Sequence, residues 1–203
     1  MIISHKYKFI FIKSLKTAGT SIEVYLSQYC GEHDVLTEII PYVEPHQPRN
    51  HDGYYNHMPA NEIRQRVGLN IWNSYFKFCV ERNPWDKVLS YYFMQKVRKD
   101  NDMVFEKYLT ENDWPINFPK YTENDNGVLN IVVDKVIFYE SLLEGLSEVF
   151  GKLGVPFEGS LGVNAKSEYR TDRRPYQEVY TNDQANIIRN IFKEEILLHN
   201  YRF

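Results

Sequence analysis

The sequence lacks the features that mark secreted, membrane-spanning and metal-binding proteins. It contains two cysteines, Cys30 and Cys79, without the spacing of a metal site, so we expect a reducing compartment. No apolar run approaches the roughly 18 residues of a membrane span. The first apolar run includes Lys6 and Lys8 and has no small-residue cleavage site, which does not fit a signal peptide. We therefore expect a cytoplasmic protein with no membrane span and no metal.

A basic excess is also missing. The net charge of −3 argues against a nonspecific nucleic-acid binder, although a local cluster of cations can still bind a small anion. Hydrophobic residues make up 43% of the chain and charged residues 25%, the balance of a globular protein. The 203 residues are long enough to bury a full core, and we expect one domain over residues 1–203.

The strongest local pattern is an apolar run followed by a tight turn. Residues 7–12 are aromatic or β-branched in large part and predict a buried strand, and Lys16 and Gly19 lie in the turn after it. Thr20 and Glu23 have the spacing of a capping box, which predicts that a helix begins there. A strand, a small-residue turn and a helix start together form an anion site, because unpaired N–H groups and the helix dipole meet at one point.

This turn does not have the order of a Walker A loop. That loop requires G-x-x-x-x-G-K-[ST], whereas Lys16 precedes the glycine here, so the pattern favours phosphate binding but not ordinary nucleoside triphosphate binding. The alternative interpretation is a capped helix after a strand, with Lys16 merely solvated.

A second pattern follows the apolar residues 75–80. Arg82 comes directly after this predicted strand, Asn83 and Pro84 predict the start of a helix, and Ser90 lies about two turns further on. A guanidinium and a hydroxyl on one wall suit a phosphate monoester, because arginine offers a planar fork of donors. The alternative is a surface arginine, a helix cap and an incidental serine.

The remaining chain alternates further strands and helices with polar loops. Residues 35–40 and 132–139 predict strands, and a capping box at residues 181–184 predicts the last helix. Residues 41–57 and 111–127 are proline-containing and predict long loops.

This alternation predicts an α/β fold, specifically a P-loop-like three-layer α/β/α sandwich with a mostly parallel central sheet. Ligands of such sheets bind at the carboxyl ends of the strands. Lys16, Arg82 and Glu140 all follow predicted strand ends, so we expect them at one crevice. Glu140 can orient neighbouring cations or cap the following helix, and we favour the structural role.

Together the two motifs resemble the PAPS-dependent sulfotransferases, particularly the carbohydrate-type branch that includes the heparan 2-O-sulfotransferases. The first family motif is P-K-x-x-G-T-[ST], and residues 15–21 match it except that Leu15 replaces proline. The second is [FV]-x-R-N-P-x-[DE]-[RK]-x-x-S-x-Y, which residues 80–92 fit throughout, with Glu81 as an acidic residue at a variable place. The residues at the end of the chain, 180–203, are also similar to that family's C-terminus.

The resemblance implies the donor 3′-phosphoadenosine 5′-phosphosulfate (PAPS), the product 3′-phosphoadenosine 5′-phosphate (PAP) and no metal. It places the 5′-phosphosulfate on Lys16 and on the backbone and hydroxyls of a segment of five residues, and the 3′-phosphate on Arg82 and Ser90. That segment consists of Thr17, Ala18, Gly19, Thr20 and Ser21. A loose match also suggests a cofactor-closing loop, for which a charged surface turn is the alternative; its candidate residues are Lys166, Ser167 and Arg170.

The resemblance also suggests a general base for the acceptor hydroxyl. His57 stands where the 2-O-sulfotransferases have the second histidine of an H-x-H pair, and Tyr55 occupies the first place. An imidazole suits this task because its ordinary pKa is near neutral. The alternative is a histidine that caps the helix after it. Lesser candidates for the base are His46, His51 and Glu23.

We therefore expect a sulfotransferase that acts on a hydroxyl of a glycan or a small polar metabolite by in-line displacement, in which Lys16 stabilises the leaving group. Two alternatives remain open at this point. One is a P-loop kinase that acts on a small molecule, and the other is a noncatalytic nucleotide-binding module that has lost its base. The sequence does not identify the acceptor or the oligomeric state.

Overall fold

The structure, a computed structural model, describes residues 1–99, 102–111, 113–162 and 169–203. The described residues form seven strands and seven α-helices. The strands are β1 (Ile2–Ser4), β2 (Phe9–Ile12), β3 (Val35–Leu36), β4 (Phe76–Glu81), β5 (Thr122–Asp125), β6 (Val128–Ile131) and β7 (Lys135–Phe138). The helices are α1 (Gly19–Ser27), α2 (Ala60–Ser74), α3 (Pro84–Lys99), α4 (Phe105–Tyr108), α5 (Leu142–Leu153), α6 (Asn182–Ile191) and α7 (Lys193–His199). None of these helices combines the length and the apolar sequence that crossing a bilayer requires.

Five strands form one sheet in the order β3-β1-β2-β4-β7. β2 pairs with β4, and β4 with β7, in parallel, whereas β1 is antiparallel to both of its neighbours. Four of the five strands therefore run in the same direction, since β3 and β2 are each opposite to β1. The fold is mixed α/β with a mostly parallel central sheet, which confirms that part of the sequence prediction.

The predicted loop at residues 111–127 is wrong in its second half. β5 and β6 pair there as an antiparallel hairpin, with Asn126 and Gly127 between them at φ of 52° and 87°. Asn-Gly is the pair that a two-residue hairpin turn favours, because both central residues need positive φ. The sequence signal was present, but the flanking residues are too polar to predict strands by their alternation.

The chain divides into two compact units, Met1–Glu81 with Pro119–Ala165, and Arg82–Phe118 with Lys166–Phe203. The first unit holds the sheet, α1, α2 and α5. Its core joins side chains of β2, β4 and β7 to apolar residues of α1 and α5. α5 packs closely on β7 at Gly145, where an added Cβ would lie 2.5 Å from a methyl carbon of Ile137.

The second unit is helical and is built on a cluster of aromatic side chains. Asn83 accepts the backbone N–H of Trp85 at 3.1 Å at the start of α3, which confirms the predicted cap. The capping box of Thr181 and Gln184 is also present at the start of α6. The largest buried aromatic side chains of this core are Trp85, Tyr92, Tyr108, Tyr180 and Phe192.

A buried ion pair joins α3 to α7 within the second unit. Nζ of Lys87 lies 2.5 Å from Oε2 of Glu195, and neither side chain is more than 1% exposed. Oε1 of Glu195 accepts the backbone N–H groups of Asn117 and Phe118 at 2.5 and 3.1 Å. The carboxylate therefore satisfies a buried cation and two buried backbone donors at once.

We expect Glu195→Gln to lower the free energy of unfolding by about 3 kcal/mol, because it leaves the charge of Lys87 buried without its counter-ion. The matched control is Glu148→Gln, which removes the exposed partner of Lys135 and should cost less than about 1 kcal/mol. Urea unfolding of both variants measures the difference. The double variant Lys87→Met/Glu195→Gln should recover part of the loss. Equal losses of stability in Glu195→Gln and Glu148→Gln would contradict the role assigned to the buried ion pair.

Candidate functional site

The loop after β2 turns the chain through two left-handed residues into α1. Lys16 and Ala18 have φ of 61° and 60°, and α1 begins at Gly19. The N–H of Ile22 donates to the carbonyl of Ala18 at 3.1 Å, which is the first hydrogen bond of the helix. The amides before Ile22 in this turn are therefore outside the helical ladder, as an anion site requires.

The predicted capping box at the start of α1 is wrong. The N-cap is Ala18, and no side chain caps the helix. The carboxylate of Glu23 contacts Lys13 instead, with Oε2 2.5 Å from Nζ. Thr20 and Glu23 have the spacing of a capping box, but the carboxylate of Glu23 forms an ion pair with the buried Lys13 instead.

Lys13, which the sequence analysis did not assign, is the buried cation at this loop. It follows β2 directly and is only 3% exposed. An added Cβ on Gly19 would lie 2.6 Å from Cγ of Lys13, so the lysine occupies the space that the glycine leaves. A lysine at the end of an uninterrupted apolar strand was the sequence signal for this residue.

Glu23 is fully buried, and its other carboxylate oxygen accepts from the α-amino group of Met1. Burial alone would raise the pKa of Glu23, but the Met1 ammonium and Lys13 outweigh it and hold the pKa below its ordinary value. A buried carboxylate of lowered pKa is not a base that an acceptor can reach. The prediction of Glu23 as a lesser candidate for the general base is therefore wrong.

The hydroxyls of the loop contribute to its own structure. Thr17 is buried, and its Oγ1 lies 2.8 Å from Oγ of Ser14. The hydroxyl of Ser14 also donates to the carbonyl of Val80 on β4. Thr20 and Ser21 lie in the first turn of α1 and are 8% and 4% exposed. The loop is therefore anchored to the neighbouring parallel strand before any ligand binds.

His57 lies against the same loop. Its Nδ1 is 3.1 Å from the carbonyl oxygen of Lys13, so Nδ1 carries the proton and Nε2 carries the lone pair. Burial and the charge of Lys13 lower the pKa of His57 to about 3, and the imidazole is neutral at pH 7. The alternative, a histidine that caps α2, is wrong, because the N-cap is Pro59 and no side chain caps that helix.

Lys120 is a further cation beside His57. Its Nζ lies 3.4 Å from the backbone carbonyl of His57, and burial lowers its pKa. No carboxylate of a described residue is within ion-pair distance of this lysine. No sequence pattern marked Lys120, because it lies in the predicted loop at residues 111–127.

The other histidine candidates are placed differently. His46 is fully buried, with Nε2 2.8 Å from the carbonyl oxygen of Thr37, and burial lowers its pKa. An acceptor hydroxyl cannot reach it, so this candidate for the base is wrong. His51 is half-buried, and its carbonyl accepts the N–H of Tyr54 at 2.8 Å.

A cleft of about 650 Å³ opens beside the loop in the first unit. Ala18 and Ser21 form one side of it, and the segment that leads from β7 into α5 forms another. Glu140 lies in that segment and lines the cleft. The N-cap of α5 is Ser141, so the prediction that Glu140 caps this helix is wrong. The further lining residues are Tyr139, Ser141, Leu142, Leu143, Glu144, Ser160, Leu161 and Gly162. We call this space the β7 cleft.

In the second unit, two arginines share one carboxylate. Nε of Arg82 lies 2.8 Å from Oδ2 of Asp86, and a terminal nitrogen of Arg170 lies 2.5 Å from Oδ1. Ser90 is half-buried on the same helix as Asp86. Arg82 and Arg170, which the resemblance assigns to the donor, are thus brought together.

Two further candidates, Lys166 and Ser167, lie outside the described residues. Within the described ranges, no three histidine, cysteine, aspartate or glutamate side chains cluster as a metal site would.

The lowered pKa of His57 makes the stability of the protein depend on pH. Below pH 6.5 the unfolded chain takes up a proton at this histidine, while the folded state does so only near pH 3, so stability falls as the pH falls. The variant His57→Asn tolerates the φ of 64° and keeps a donor for Lys13. Between pH 7 and pH 5 we expect wild type to lose up to about 2 kcal/mol more than this variant. Urea unfolding at both pH values measures it, and an equal loss in both proteins would contradict the lowered pKa.

Comparison with known proteins identifies a relative without a known activity. No family model matches the chain. An archaeal protein of Archaeoglobus fulgidus, described as an uncharacterized protein, is 36% identical over 115 residues, which are 55% of this chain and 94% of the relative. At that identity and coverage, this chain belongs to one family with the uncharacterized archaeal protein.

Proposed function

We propose that the protein is a PAPS-dependent sulfotransferase that transfers a sulfonate group to an acceptor hydroxyl and releases PAP. The contact between Nδ1 of His57 and the carbonyl of Lys13 carries this proposal, because it places a neutral imidazole at the loop that has the features of an anion site. The proposal includes a P-loop-like form of the α/β fold, supported by the loop and helix that follow β2.

The loop between β2 and α1 supports binding of the 5′-phosphosulfate. Left-handed residues Lys16 and Ala18 lead into the first turn of α1, where backbone N–H groups and the helix dipole favour negative charge. Because the hydroxyl of Thr17 is bonded to Ser14, we assign the contribution of Thr17 to its backbone. Lys16 is the group to which we assign stabilisation of the leaving phosphate.

The arginine pair of the second unit supports binding of the 3′-phosphate. Arg82 and Arg170 share Asp86, and a phosphate that enters there would meet two guanidinium groups. Ser90 on the same helix adds a hydroxyl donor. The β7 cleft is our candidate for binding the neutral part of the nucleotide. The carboxylates and serine hydroxyls that line the cleft can accept hydrogen bonds from amino and hydroxyl groups.

In the proposed reaction, the acceptor oxygen forms a bond to sulfur as the bond from sulfur to the bridging phosphate oxygen breaks. The acceptor proton passes to Nε2 of His57, and PAP takes the electron pair of the broken bond. Binding of an anionic donor near Lys13 would raise the pKa of the imidazole from its low value and so strengthen the base. Charge stabilisation by Lys16 and positioning supply the rest of the rate enhancement.

The acceptor is a hydroxyl compound, and we propose a glycan or a small polar metabolite. Tyr42 and Tyr55 are 56% and 47% exposed in the segment that leads to His57. Aromatic faces with a polar tip suit the stacking of sugar rings and similar polar ligands.

We expect Lys16→Ala to lower sulfonate transfer from labelled PAPS by about 10²-fold or more, because it removes charge stabilisation from the transition state. Lys8→Ala is the matched control: Lys8 is exposed and has a φ of 56°, so both variants place alanine in left-handed backbone. The control should transfer at the wild-type rate. Turnover of Lys16→Ala within about threefold of the control would mean that the assigned role is wrong.

The assignment of Arg82 predicts how the protein distinguishes nucleotides. PAP should raise the melting temperature more than AMP, which lacks the 3′-phosphate, and ATP with Mg²⁺ should have little effect. In Arg82→Gln the advantage of PAP over AMP should fall by about tenfold or more in Kd, because a charge-assisted contact is lost. Arg98→Gln, the same substitution at an exposed arginine near the end of α3, serves as control.

Stabilisation by ATP–Mg²⁺ but not by PAP would favour a small-molecule kinase. Binding of PAP without transfer to any acceptor would favour a noncatalytic nucleotide-binding module. An unchanged preference for PAP over AMP in Arg82→Gln would contradict the assignment of the 3′-phosphate to Arg82.

A further inference from the structure

From the end of β2, Lys13 contacts both α1 and His57. Its Nζ is 2.5 Å from Glu23 on α1, and its side chain fills the space beside Gly19. Its backbone carbonyl lies 3.1 Å from Nδ1 of His57. One residue therefore links the start of α1 to the imidazole that we propose as the base.

We propose that Lys13 is a positioning residue, whose ion pair with Glu23 holds its carbonyl where it fixes the ring of His57 with Nε2 unprotonated. The catalytic meaning of this inference rests on the proposed function, but Lys13, Glu23 and His57 themselves lie outside the two donor motifs. Lys13 lies three places before Lys16 and acts through His57, so it is not assigned to contact with donor or acceptor.

The burial of this pair supports a positioning role over a purely stabilising one. A buried ion pair gains little net stability over a well-packed apolar pair, since removing both charges from water is costly. The pair does restrict the geometry, because an added Cβ on Gly19 would be only 2.6 Å from Cγ of Lys13. The close packing of Lys13 on Gly19 therefore restricts the lysine side chain at the start of α1.

The charges around His57 give the pair a second effect. The groups that act on the imidazole are Lys13 after β2, the α-amino group of Met1 and Lys120 before β5. Burial lowers the pKa of the Met1 amino group to about 6, so all three are cations in the acid range where His57 titrates. Together with burial, which is the largest cause, they lower the pKa of His57 and keep Nε2 available as an acceptor. Lys13 has the strongest effect among the three charges.

The ring nitrogens of His57 test this inference directly. In wild type at pH 7, ¹⁵N shifts should show the tautomer protonated at Nδ1. In Lys13→Met the pKa of His57 should rise by about one unit, which increases the charged fraction at pH 4.5 from about 3% to about a quarter. The matched control is Lys77→Met, since Lys77 is also buried and lies 2.8 Å from a carboxylate oxygen of Asp134. The control should lose stability without moving the titration of His57.

If Lys13→Met does not fold, the double variant Lys13→Met/Glu23→Gln removes both charges of the ion pair, and the amide oxygen of the glutamine can still accept from the Met1 amino group. An unchanged titration of His57 in a folded Lys13 variant would overturn the inference, as would the Nε2-protonated tautomer in wild type. This readout needs neither donor nor acceptor, so it stands if the protein transfers no sulfonate. If wild type transfers sulfonate, the acid limb of the kcat/KM pH profile in the Lys13 variant should move to higher pH together with the titration of His57. A Lys13 variant that loses transfer without this movement would overturn the positioning role of Lys13, whereas the activity of wild type would still support the proposed function.

Discussion

A single buried charge at the end of β2 constrains the candidate site of the first unit. The four residues of β2 are buried on both faces of the sheet, so the chain leaves the strand inside the protein. A lysine at that point requires a carboxylate within reach, because an isolated charge in the interior is costly. Glu23 supplies this carboxylate and therefore does not cap α1. The lysine side chain also fills the space beside Gly19, which explains the glycine at the start of α1. Packing and charge thus shape the loop before any ligand is considered.

The anion-binding features of the two units are of different kinds. The first unit offers backbone N–H groups at the start of α1, which hold an anion by dipoles and suit a group whose charge changes during a reaction. The second offers the guanidinium groups of Arg82 and Arg170, which suit a phosphate of fixed charge and geometry. The two sets of groups therefore favour anions of different kinds.

The sequence predicted features that depend on neighbouring residues and missed those that depend on distant ones. The caps at Asn83 and Thr181 are local and were predicted, as was the alternation that makes the sheet mostly parallel. The pair of Lys87 and Glu195 joins residues 108 positions apart, and no periodic pattern indicates it. In the candidate site, Lys16 and His57 were predicted from motifs and resemblance, and their roles stay predictions. Lys13 and Lys120 were missed, because their importance comes from burial and from contact with His57, which only the fold determines.

The carboxylate of Asp86 affects how an anion could bind to the arginine pair and leave it. It holds Arg82 and Arg170 together as an internal counter-ion, so the two like charges are already partly compensated. A phosphate that bound there would have to displace this carboxylate, which would limit its affinity. The arginines would return to Asp86 when the anion left. In the proposed transferase, such an internal counter-ion would weaken the binding of the charged product and so speed its release.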